Sequence, residues 1–317
     1  MYDVCALGEI LIDFTPCGTS AAGRTLFEQN PGGAPANVLA ALNRLGARTA
    51  FIGKVGNDMH GLFLREVLEE AGIHTQGLVS DDSVFTTLAF VALNEKGERS
   101  FSFARKPGAD TMLTKEELNY ALLENSRIFH IGSLSLTDQP SRSATYAALE
   151  AADEAGAVIS YDPNYRAPLW KSREEAMEIM RSVLPYVDVM KLSDEETALL
   201  TGLEVPEEAA AKLVAGGIPL VAVTLGSKGA YVCTAQGGAL VPGFACKAAD
   251  TTGAGDSFWG GFLYQLKESG KHPSEVTLLE AMGFARFANA VASLCVEKRG
   301  AIPAMPTLEE VNARMAE

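Results

Sequence analysis

Short runs rich in β-branched residues alternate with longer amphipathic runs along most of this chain. The first four runs are VCALGEILIDF, PANVLAALNRLG, TAFIGKVG and DMHGLFLREVLEEAG, and the second and fourth have the apolar spacing of helices. Strands that alternate with helices in this way lie parallel to one another, and the helices cross over the sheet between them. The alternation therefore predicts an α/β fold on a doubly wound, mostly parallel central sheet flanked by helices.

The same alternation continues toward the C-terminus. Further strands are predicted in SRIFHIGSL, AVISYDPN, VDVMKLS and PLVAVTLG, and helices at about 141–156, 174–184, 194–201 and 207–215. The run GAYVCTAQGGALVPGF breaks the pattern because it contains two β-rich segments and no helix. We interpret it as an antiparallel addition late in the sheet.

A second break in the pattern predicts a small separate sheet. The run TTLAFVALNEKGERSFSFAR contains two β-rich segments around Asn94-Glu95-Lys96-Gly97, which is typical of a hairpin, and the stretch from Thr15 to Pro31 is likewise non-helical. Ligands of open α/β sheets bind at the carboxyl ends of the strands, where such an insertion would form a lid. We predict one domain over residues 1–317, with lid segments at about 14–31 and 84–106.

Charge and composition exclude several classes of protein. The formal net charge is −14 and the pI is about 4.8, so general attraction to nucleic acid is not expected. No apolar run reaches the roughly 18 residues of a membrane span, and the start, MYDVCALGEILIDF, lacks the features of an export signal. We therefore expect a cytoplasmic protein that binds neither nucleic acid nor membrane. The five cysteines form no CxxC pair and the four histidines are far apart, which argues against structural zinc or a disulfide framework.

The stretch DTTGAGD, at 250–256, joins a glycine-rich turn to an apolar run that is predicted to be a buried helix beginning near Asp256. The first N–H groups of a helix have no internal partner and attract anions such as phosphate. A carboxylate at the same place can accept the proton of an alcohol during phosphoryl transfer, although it can also be an ordinary helix cap. A Walker A loop is absent, and no GxGxxG follows the first strand, so a dehydrogenase is not favoured.

Three segments together resemble the two sequence signatures of the PfkB, or ribokinase-like, family of sugar and nucleoside kinases. They are NPGGAPAN at 30–37, GKVGND at 53–58 and DTTGAGDSFWGGFL at 250–263. The resemblance runs in family order from Gly8 to about Pro306. It implies a ribokinase-like α/β sandwich with a small β-sheet lid, and a reaction that uses ATP.

The resemblance also implies roles for residues on the sugar side and at the reacting centre. In this family the aspartate that closes the GAGD motif is the catalytic base, here Asp256, and the N–H groups before it form an anion hole, here Gly253, Ala254 and Gly255. The implied sugar-facing residues are Asp13, Gly32, Gly33 and Asn37. Carboxylates and amides suit a polyol because each hydroxyl needs a partner once water leaves. For Asp13 and Asn37, the alternatives are a surface acid and an early-helix residue.

Two arginines narrow the implied substrate. Arg105, in SFSFARKPGAD, and Arg166, in YDPNYRAPLW, resemble in position the basic side chains that reach the sugar of bacterial fructokinases. Their forked donors suit ketose oxygens or a carboxylate, although either side chain could be a solvated surface charge. We expect transfer to the 6-hydroxyl of D-fructose. The rival substrate is 2-keto-3-deoxygluconate, which is less favoured because Ala104 stands where a tyrosine would have suited the keto acid. A non-catalytic sugar or nucleotide sensor is the alternative from a different class.

Nucleotide and metal sites are also implied by the resemblance. Thr224-Leu-Gly-Ser-Lys-Gly229 resembles the ATP-binding loop of the family, although it could be a plain strand turn. The implied nucleotide contacts are Lys191, Ser193, Thr224, Gly226, Gly229 and Asn289. Mg²⁺ follows from ATP chemistry, and Glu196 is expected to act on it through water. Asp250 and Thr252 are the implied ligands of a monovalent cation such as K⁺, although Ala304 replaces a serine that often contributes. Relatives also form dimers through the lid, so a homodimer is possible.

Overall fold

The computed structural model describes residues 1–93 and 99–317. The hairpin turn predicted at Asn94–Gly97 lies outside these residues. The strands of the described chain are β1 (Tyr2–Leu7), β2 (Leu11–Thr19), β3 (Thr25–Gly32), β4 (Thr49–Gly56), β5 (His74–Asp81), β6 (Leu88–Leu93), β7 (Arg99–Ala104), β8 (Ser126–Ile131), β9 (Val158–Tyr161), β10 (Val189–Ser193), β11 (Leu220–Thr224), β12 (Ala230–Thr234) and β13 (Gly237–Val241).

Most of the helices lie close to the ranges predicted from apolar spacing, but no range was predicted for the helices at Tyr120–Glu124, Leu278–Cys295 and Leu308–Met315. The helices are α1 (Ala34–Arg44), α2 (Met59–Glu70), α3 (Tyr120–Glu124), α4 (Ser141–Glu154), α5 (Arg173–Ser182), α6 (Thr197–Thr201), α7 (Pro206–Ala215), α8 (Ala254–Ser269), α9 (Leu278–Cys295) and α10 (Leu308–Met315). Two boundaries differ from the prediction. The helix expected over 194–201 begins as a 3₁₀ turn at Asp194–Glu196, and α8 begins at Ala254, two residues before Asp256.

Nine strands form the central sheet in the order β13-β12-β11-β10-β9-β8-β1-β4-β5. All neighbours from β11 to β5 pair in parallel, whereas β12 and β13 are antiparallel additions. The antiparallel interpretation of GAYVCTAQGGALVPGF is therefore confirmed. Because the parallel strands all run the same way, their carboxyl ends open at one edge of the sheet.

Helices cover both faces of the central sheet, and successive apolar side chains of β1 point alternately into the two cores. Val4 and Ala6 face the core that includes α1, α2, α8, α9 and α10, whereas Cys5 and Leu7 face the core that includes α3 to α7. Successive side chains of a strand point to opposite faces, so a sheet buried on both sides needs apolar residues at every position. The result is the three-layer α/β sandwich that the sequence predicts.

Among the described residues, α9 alone has the length and apolar character of a membrane-spanning helix. Its mean hydropathy is 1.2, and 56% of the stretch is buried inside the protein. The helix packs in the same core as α8, where Phe284 meets Phe262 with ring centroids 5.8 Å apart. Burial between α8 and the sheet accounts for its composition.

Four strands form a second sheet, called here the small sheet, in the order β3-β2-β6-β7. It corresponds to the two segments that the sequence separates from the main alternation. In its parallel β2–β6 pair, Asp13 lies beside Ala89 and Phe14 beside Phe90. Asp13 and Ala89 therefore share one face of the small sheet, and the two phenylalanines share the other.

Candidate active site

A cleft of about 950 Å³ lies where the small sheet, the start of α1, the ends of β9 and β10, and the start of α8 meet. Eleven of the residues singled out from the sequence line it: Asp13, Gly33, Asn37, Arg166, Lys191, Asp250, Thr252, Gly253, Ala254, Gly255 and Asp256. Eight others are not part of this lining in the described structure: Gly32, Arg105, Ser193, Glu196, Thr224, Gly226, Gly229 and Asn289.

The glycine-rich turn brings the start of α8 into the cleft. Gly253 adopts φ 75, in the left-handed region that favours glycine, and a Cβ there would lie 2.7 Å from the Cβ of Ala301. Ala254 N donates to Thr251 O at 3.2 Å. The next amides, of Gly255 and Asp256, belong to the first turn and have no acceptor within the helix. The turn therefore presents N–H groups and the positive end of the helix dipole to the cleft.

Both oxygens of the Asp256 carboxylate are held by amide side chains. Asn37 Nδ2 donates to Oδ2 at 2.7 Å, and Asn164 Nδ2 donates to Oδ1 at 3.0 Å. Asp256 is only 8% exposed although it lines the cleft. A carboxylate has about four lone-pair sites, so each oxygen can accept a further proton donor. The two amides thus fix the orientation of the carboxylate and leave it able to accept the proton of a bound hydroxyl.

A buried ion pair stands next to this turn. Lys191, within β10, and Asp162, just after β9, have Nζ and Oδ2 2.7 Å apart. Burial raises the pKa of Asp162, against the pull of the Lys191 charge. A Cβ on Gly255 would lie 3.2 Å from Lys191 Nζ, so the space between the lysine and the helix start is open because residue 255 is glycine. The ammonium and the N–H groups together form a cradle that suits a phosphate group.

The sugar side of the cleft depends on Gly32 and Gly33. A Cβ on Gly32 would collide with the carboxylate of Asp13, so Gly32 stands outside the lining but makes room for that side chain. Gly33 has φ 120 and lies against the backbone of Glu9 and Ile10. Glycine at both positions therefore lets the end of β3 pass close to the start of β2.

The two arginines occupy different surroundings. Arg105 is buried, and its guanidinium donates to Asp110 Oδ2 at 2.8 Å, to Thr137 Oγ1 at 2.8 Å and to Leu134 O at 2.9 Å. Leu134 lines the cleft, so Arg105 lies one layer behind the wall. Arg166 is exposed in the cleft, and its guanidinium donates to Tyr165 O at 3.2 Å. Of the two, Arg166 is the one placed to meet a ligand directly.

The predicted nucleotide residues Thr224, Gly226 and Gly229 lie at the end of β11 and in the turn that follows it. Thr224 Oγ1 donates to Leu192 O at 3.2 Å, and Gly226 and Gly229 both have positive φ. Gly229 packs against the backbone of 241–243. Asn289 reaches the same segment from α9, because its Nδ2 donates to Val241 O and Pro242 O, each at 3.1 Å.

The residues assigned to cations are held by backbone amides. Glu196 accepts from Tyr165 N at 2.7 Å and from Ser193 N at 2.8 Å, so Ser193 and Glu196 close one turn. Asp250 accepts from Thr252 N at 3.0 Å and from Gly300 N at 3.1 Å. In the described residues, no group of three or more His, Cys, Asp or Glu side chains could hold a metal ion by itself.

Sequence reasoning missed three polar residues of the cleft region. Asn164 and Asp162 follow β9, and Glu9 precedes β2; all three are buried. The available signal was position, since polar residues directly after a buried parallel strand reach the ligand edge of the sheet. YDPN in the sequence carries that signal, but its contact with Asp256, 92 residues away, does not follow from spacing.

Comparisons with known proteins agree with this geometry. The pfkB family carbohydrate kinase model matches residues 1–308. The chain is 44% identical over 311 residues to fructokinase-2 of Solanum habrochaites, covering 97% of this chain and 94% of the relative. A fructokinase from Xylella fastidiosa, solved with bound ATP, superposes with a TM-score of 0.91 at 35% identity over 100% of this chain and 99% of that one.

A fructokinase from Vibrio cholerae O395, solved with fructose, ADP and a calcium ion, superposes with a TM-score of 0.88 at 39% identity, covering 99% of each chain. The match thus extends over the central sheet, the small sheet and the turn that carries Asp256. The ribokinase-like fold expected from the three sequence segments is confirmed, and the chain belongs to the pfkB family of carbohydrate kinases.

Proposed function

We propose that this kinase transfers the γ-phosphoryl group of ATP to the 6-hydroxyl of D-fructose. The observation that carries the proposal is the Asp256 carboxylate, which two amides orient at a helix start that also offers anion-binding N–H groups. A proton acceptor and a phosphate cradle at one place are the two requirements of phosphoryl transfer to an alcohol. The fructokinase relatives support the same reaction.

In the proposed reaction, Asp256 accepts the proton of the sugar hydroxyl as its oxygen attacks the γ-phosphorus in line. One phosphorus–oxygen bond forms to the sugar, the bond to the β-phosphate oxygen breaks, and ADP leaves with that electron pair. The N–H groups of Gly253 and Gly255, together with Lys191, stabilise the charge of the phosphoryl group. The Ala254 N–H, which the resemblance also implies, already donates to Thr251 O. The product is fructose 6-phosphate.

The charges of the sugar-side wall support fructose over 2-keto-3-deoxygluconate. Asp13 and Glu28 both line this side of the cleft. The Arg105 charge is largely balanced by Asp110, whose Oδ2 lies 2.7 Å from the guanidinium. The carboxylate of a keto acid would therefore meet a negatively charged wall, with Arg166 as its main cationic partner. A neutral ketose has hydroxyls that can donate hydrogen bonds to the acidic side chains.

We propose Mg²⁺ as the divalent ion that accompanies ATP. Protein carboxylates usually hold Mg²⁺ through one or two contacts plus phosphate oxygens and water, so a cage of three acids is not required. Asp162 Oδ1 is buried without a partner in the described structure, which suits an acceptor for a water bound to the ion. Glu196 would act through water in the same region. When bound, the ion offsets phosphate charge.

Four further assignments go with this function. The turn at Thr224–Gly229 and Asn289 would meet the nucleoside part of ATP, and Asp250 and Thr252 would border a K⁺ ion beneath the anion hole. The whole chain would act as one domain, in which the small sheet closes over the sugar as a lid. The same sheet would join two copies into a homodimer. We place the reaction in the cytoplasm, where ATP is supplied.

A substrate panel with ATP and Mg²⁺ tests the proposal. ADP release is measured with fructose, 2-keto-3-deoxygluconate, ribose and adenosine, and the highest kcat/KM is expected for fructose. Preference for the keto acid would refute the proposed substrate, and sugar binding without ADP release would favour a sensor.

The proposed base is tested with Asp256→Asn, which should lower kcat by at least about 100-fold while fructose binding remains. Asp153→Asn, on the exposed side of α4, is the matched control and should keep wild-type kcat. Near-normal turnover in Asp256→Asn would remove the residue from the mechanism.

A further inference from the structure

Helix α1 is capped by a side chain from a distant part of the sequence. Its N-cap residue is Gly33, which has no side chain to accept a hydrogen bond. Instead Oε1 of Glu9 accepts the N–H of Ala34 at 2.9 Å. Glu9 is 3% exposed, and it lies in the turn between β1 and β2. The first turn of α1 is therefore tied to the end of β1.

The tied turn is the one that orients the proposed base. Asn37 lies in the first turn of α1, where its backbone N–H donates to Gly33 O at 2.9 Å. Its side-chain amide donates to Asp256 Oδ2 at 2.7 Å. A rotation or fraying of this turn would move the amide, and with it the carboxylate. Glu9 thus connects to Asp256 through two hydrogen bonds and one helical turn.

A helix cap alone does not explain this arrangement. The usual cap is serine, threonine, asparagine or aspartate at the N-cap itself, which satisfies a first-turn amide locally. Here a glutamate is buried instead, and its Oε2 has no partner in the described structure. Burial raises the pKa of Glu9 to about 7, and the charged groups that act on it are Asp110 and Arg105. The chain therefore tolerates an unfavourable buried acid at this position.

We propose that Glu9 is a positioning residue for phosphoryl transfer, which holds the first turn of α1 so that Asn37 orients Asp256. This inference rests on the proposed role of Asp256 as the base. Glu9 touches neither sugar nor phosphate in this role. Its effect is expected on turnover, because a misplaced base lowers kcat while the groups that bind the substrates are unchanged.

Two variants separate the hydrogen bond from the charge. Glu9→Gln keeps an oxygen that accepts the Ala34 N–H, so its kcat should stay within about threefold of wild type. Glu9→Ala removes the acceptor, and its kcat should fall at least about tenfold, while the KM values for fructose and ATP change less than about threefold. Thr307→Ala, which removes the cap of the remote helix α10, controls for general loss of helix stability and should keep wild-type kcat.

The link through Asn37 is tested by a double-mutant cycle. In an Asn37→Ala background the amide is already lost, so Glu9→Ala should lower kcat by less than it does in the wild-type background. Additive losses, wild-type kcat in Glu9→Ala, a change confined to KM, or no recovery in Glu9→Gln would each overturn the proposal. If Glu9→Ala does not fold, Glu9→Asp, whose shorter side chain moves the acceptor, is judged by the same criteria.

Failure of the proposed role of Glu9 can be distinguished from failure of the proposed function. All variants are compared with wild type on whichever sugar the wild-type enzyme phosphorylates best. A different preferred sugar would refute the fructose assignment and leave this comparison intact. If Asp256→Asn keeps its turnover, Asp256 is not the base and the role of Glu9 falls with it.

Discussion

At the scale of single residues, the chemistry depends on how a carboxylate is kept both buried and usable. Asp256 accepts one amide on each oxygen, from Asn37 and Asn164. Neutral amides stabilise the carboxylate without the strong charge pairing that an arginine would bring, so its oxygens stay available to a hydroxyl proton. Lys191 is nearby, but its ammonium is paired with Asp162.

Asn164 offers a test of this orientation because its backbone is unusual. Its φ is 48, in the left-handed region, where glycine is unstrained. Asn164→Gly therefore removes the amide without adding strain, and kcat should fall at least about tenfold with a smaller change in fructose KM. Asn164→Ala should show the same kinetic loss plus about 1 kcal/mol of lost stability. Wild-type turnover in the glycine variant, measured by ADP release, would contradict the role.

The buried carboxyl group of Glu9 should make the free energy of unfolding depend on pH. Its pKa is about 7 in the folded protein, against 4.5 for an ordinary glutamate, so between these values the folded state binds more protons than the unfolded state. The contribution is therefore complete below about pH 4.5 and is lost as pH rises to about 7, by up to about 3 kcal/mol. Glutamine does not titrate, so Glu9→Gln lacks this loss. The free energy of unfolding of Glu9→Gln, relative to that of wild type, should therefore be higher at pH 8 than at pH 5.

Urea unfolding of both proteins at the two pH values measures the effect. Glu310→Gln is the control, because hydrogen bonds from Thr307 and the Lys298 charge lower the pKa of Glu310. Its carboxylate stabilises the fold above the unfolded pKa, so its contribution should stay constant between pH 5 and pH 8 and be lost only at lower pH. A stability difference between wild type and Glu9→Gln that does not change with pH would show that Glu9 does not titrate as a buried acid.

At the scale of elements, the sequence predicted the strands and helices well because their signals are local. The 3.6-residue spacing in PANVLAALNRLG and the continuous apolar run in PLVAVTLG depend only on neighbouring residues. The family motifs likewise located Asp256, Asn37 and Lys191, which all line the cleft. The contacts that hold them were not predictable from spacing, since Asn164 reaches Asp256, and Glu9 reaches the first turn of α1, only after the sheet has formed.

The two ends of α8 provide a matched pair of glycines. Gly253 and Gly270 flank the helix with φ 75 and φ 65, but a Cβ meets Ala301 at the first and nothing within 4 Å at the second. Gly270→Ala should cost about 1 kcal/mol of stability and keep wild-type kcat. Gly253→Ala carries the same strain, and it must also shift the turn that forms the anion hole. Its kcat should therefore fall at least about tenfold.

Kinetics and thermal unfolding of the two glycine variants separate these effects. Equal kcat values would show that the turn at Gly253 has no special role in the reaction. A larger stability loss for Gly253→Ala alone, without a kinetic difference, would point to packing against Ala301 and not to the cradle.

At the scale of the whole molecule, the small sheet has two chemically different faces. Asp13 and Val91 line the cleft on one face. On the other face Phe14 and Phe90 stack with centroids 5.2 Å apart, and Phe27 meets Phe90 edge-on at 6.2 Å. The side chains of Phe27 and Phe90 remain 45% and 38% exposed. On an acidic chain with a net charge of −14, an exposed aromatic patch of this kind indicates an interaction surface.

This outer face supports the proposed homodimer, because pairing of two copies would bury both aromatic clusters. Sedimentation should then give a mass near twice 33.6 kDa. Phe90→Glu places a charge in each cluster and should shift the protein to monomer, since like charges would face each other in the interface. Leu279→Glu changes an equally apolar and more exposed side chain on α9, at 78% exposure, and should leave the mass unchanged. A wild-type monomer at micromolar concentration would leave the outer face without this role, and the small sheet would then act on the sugar of its own chain alone.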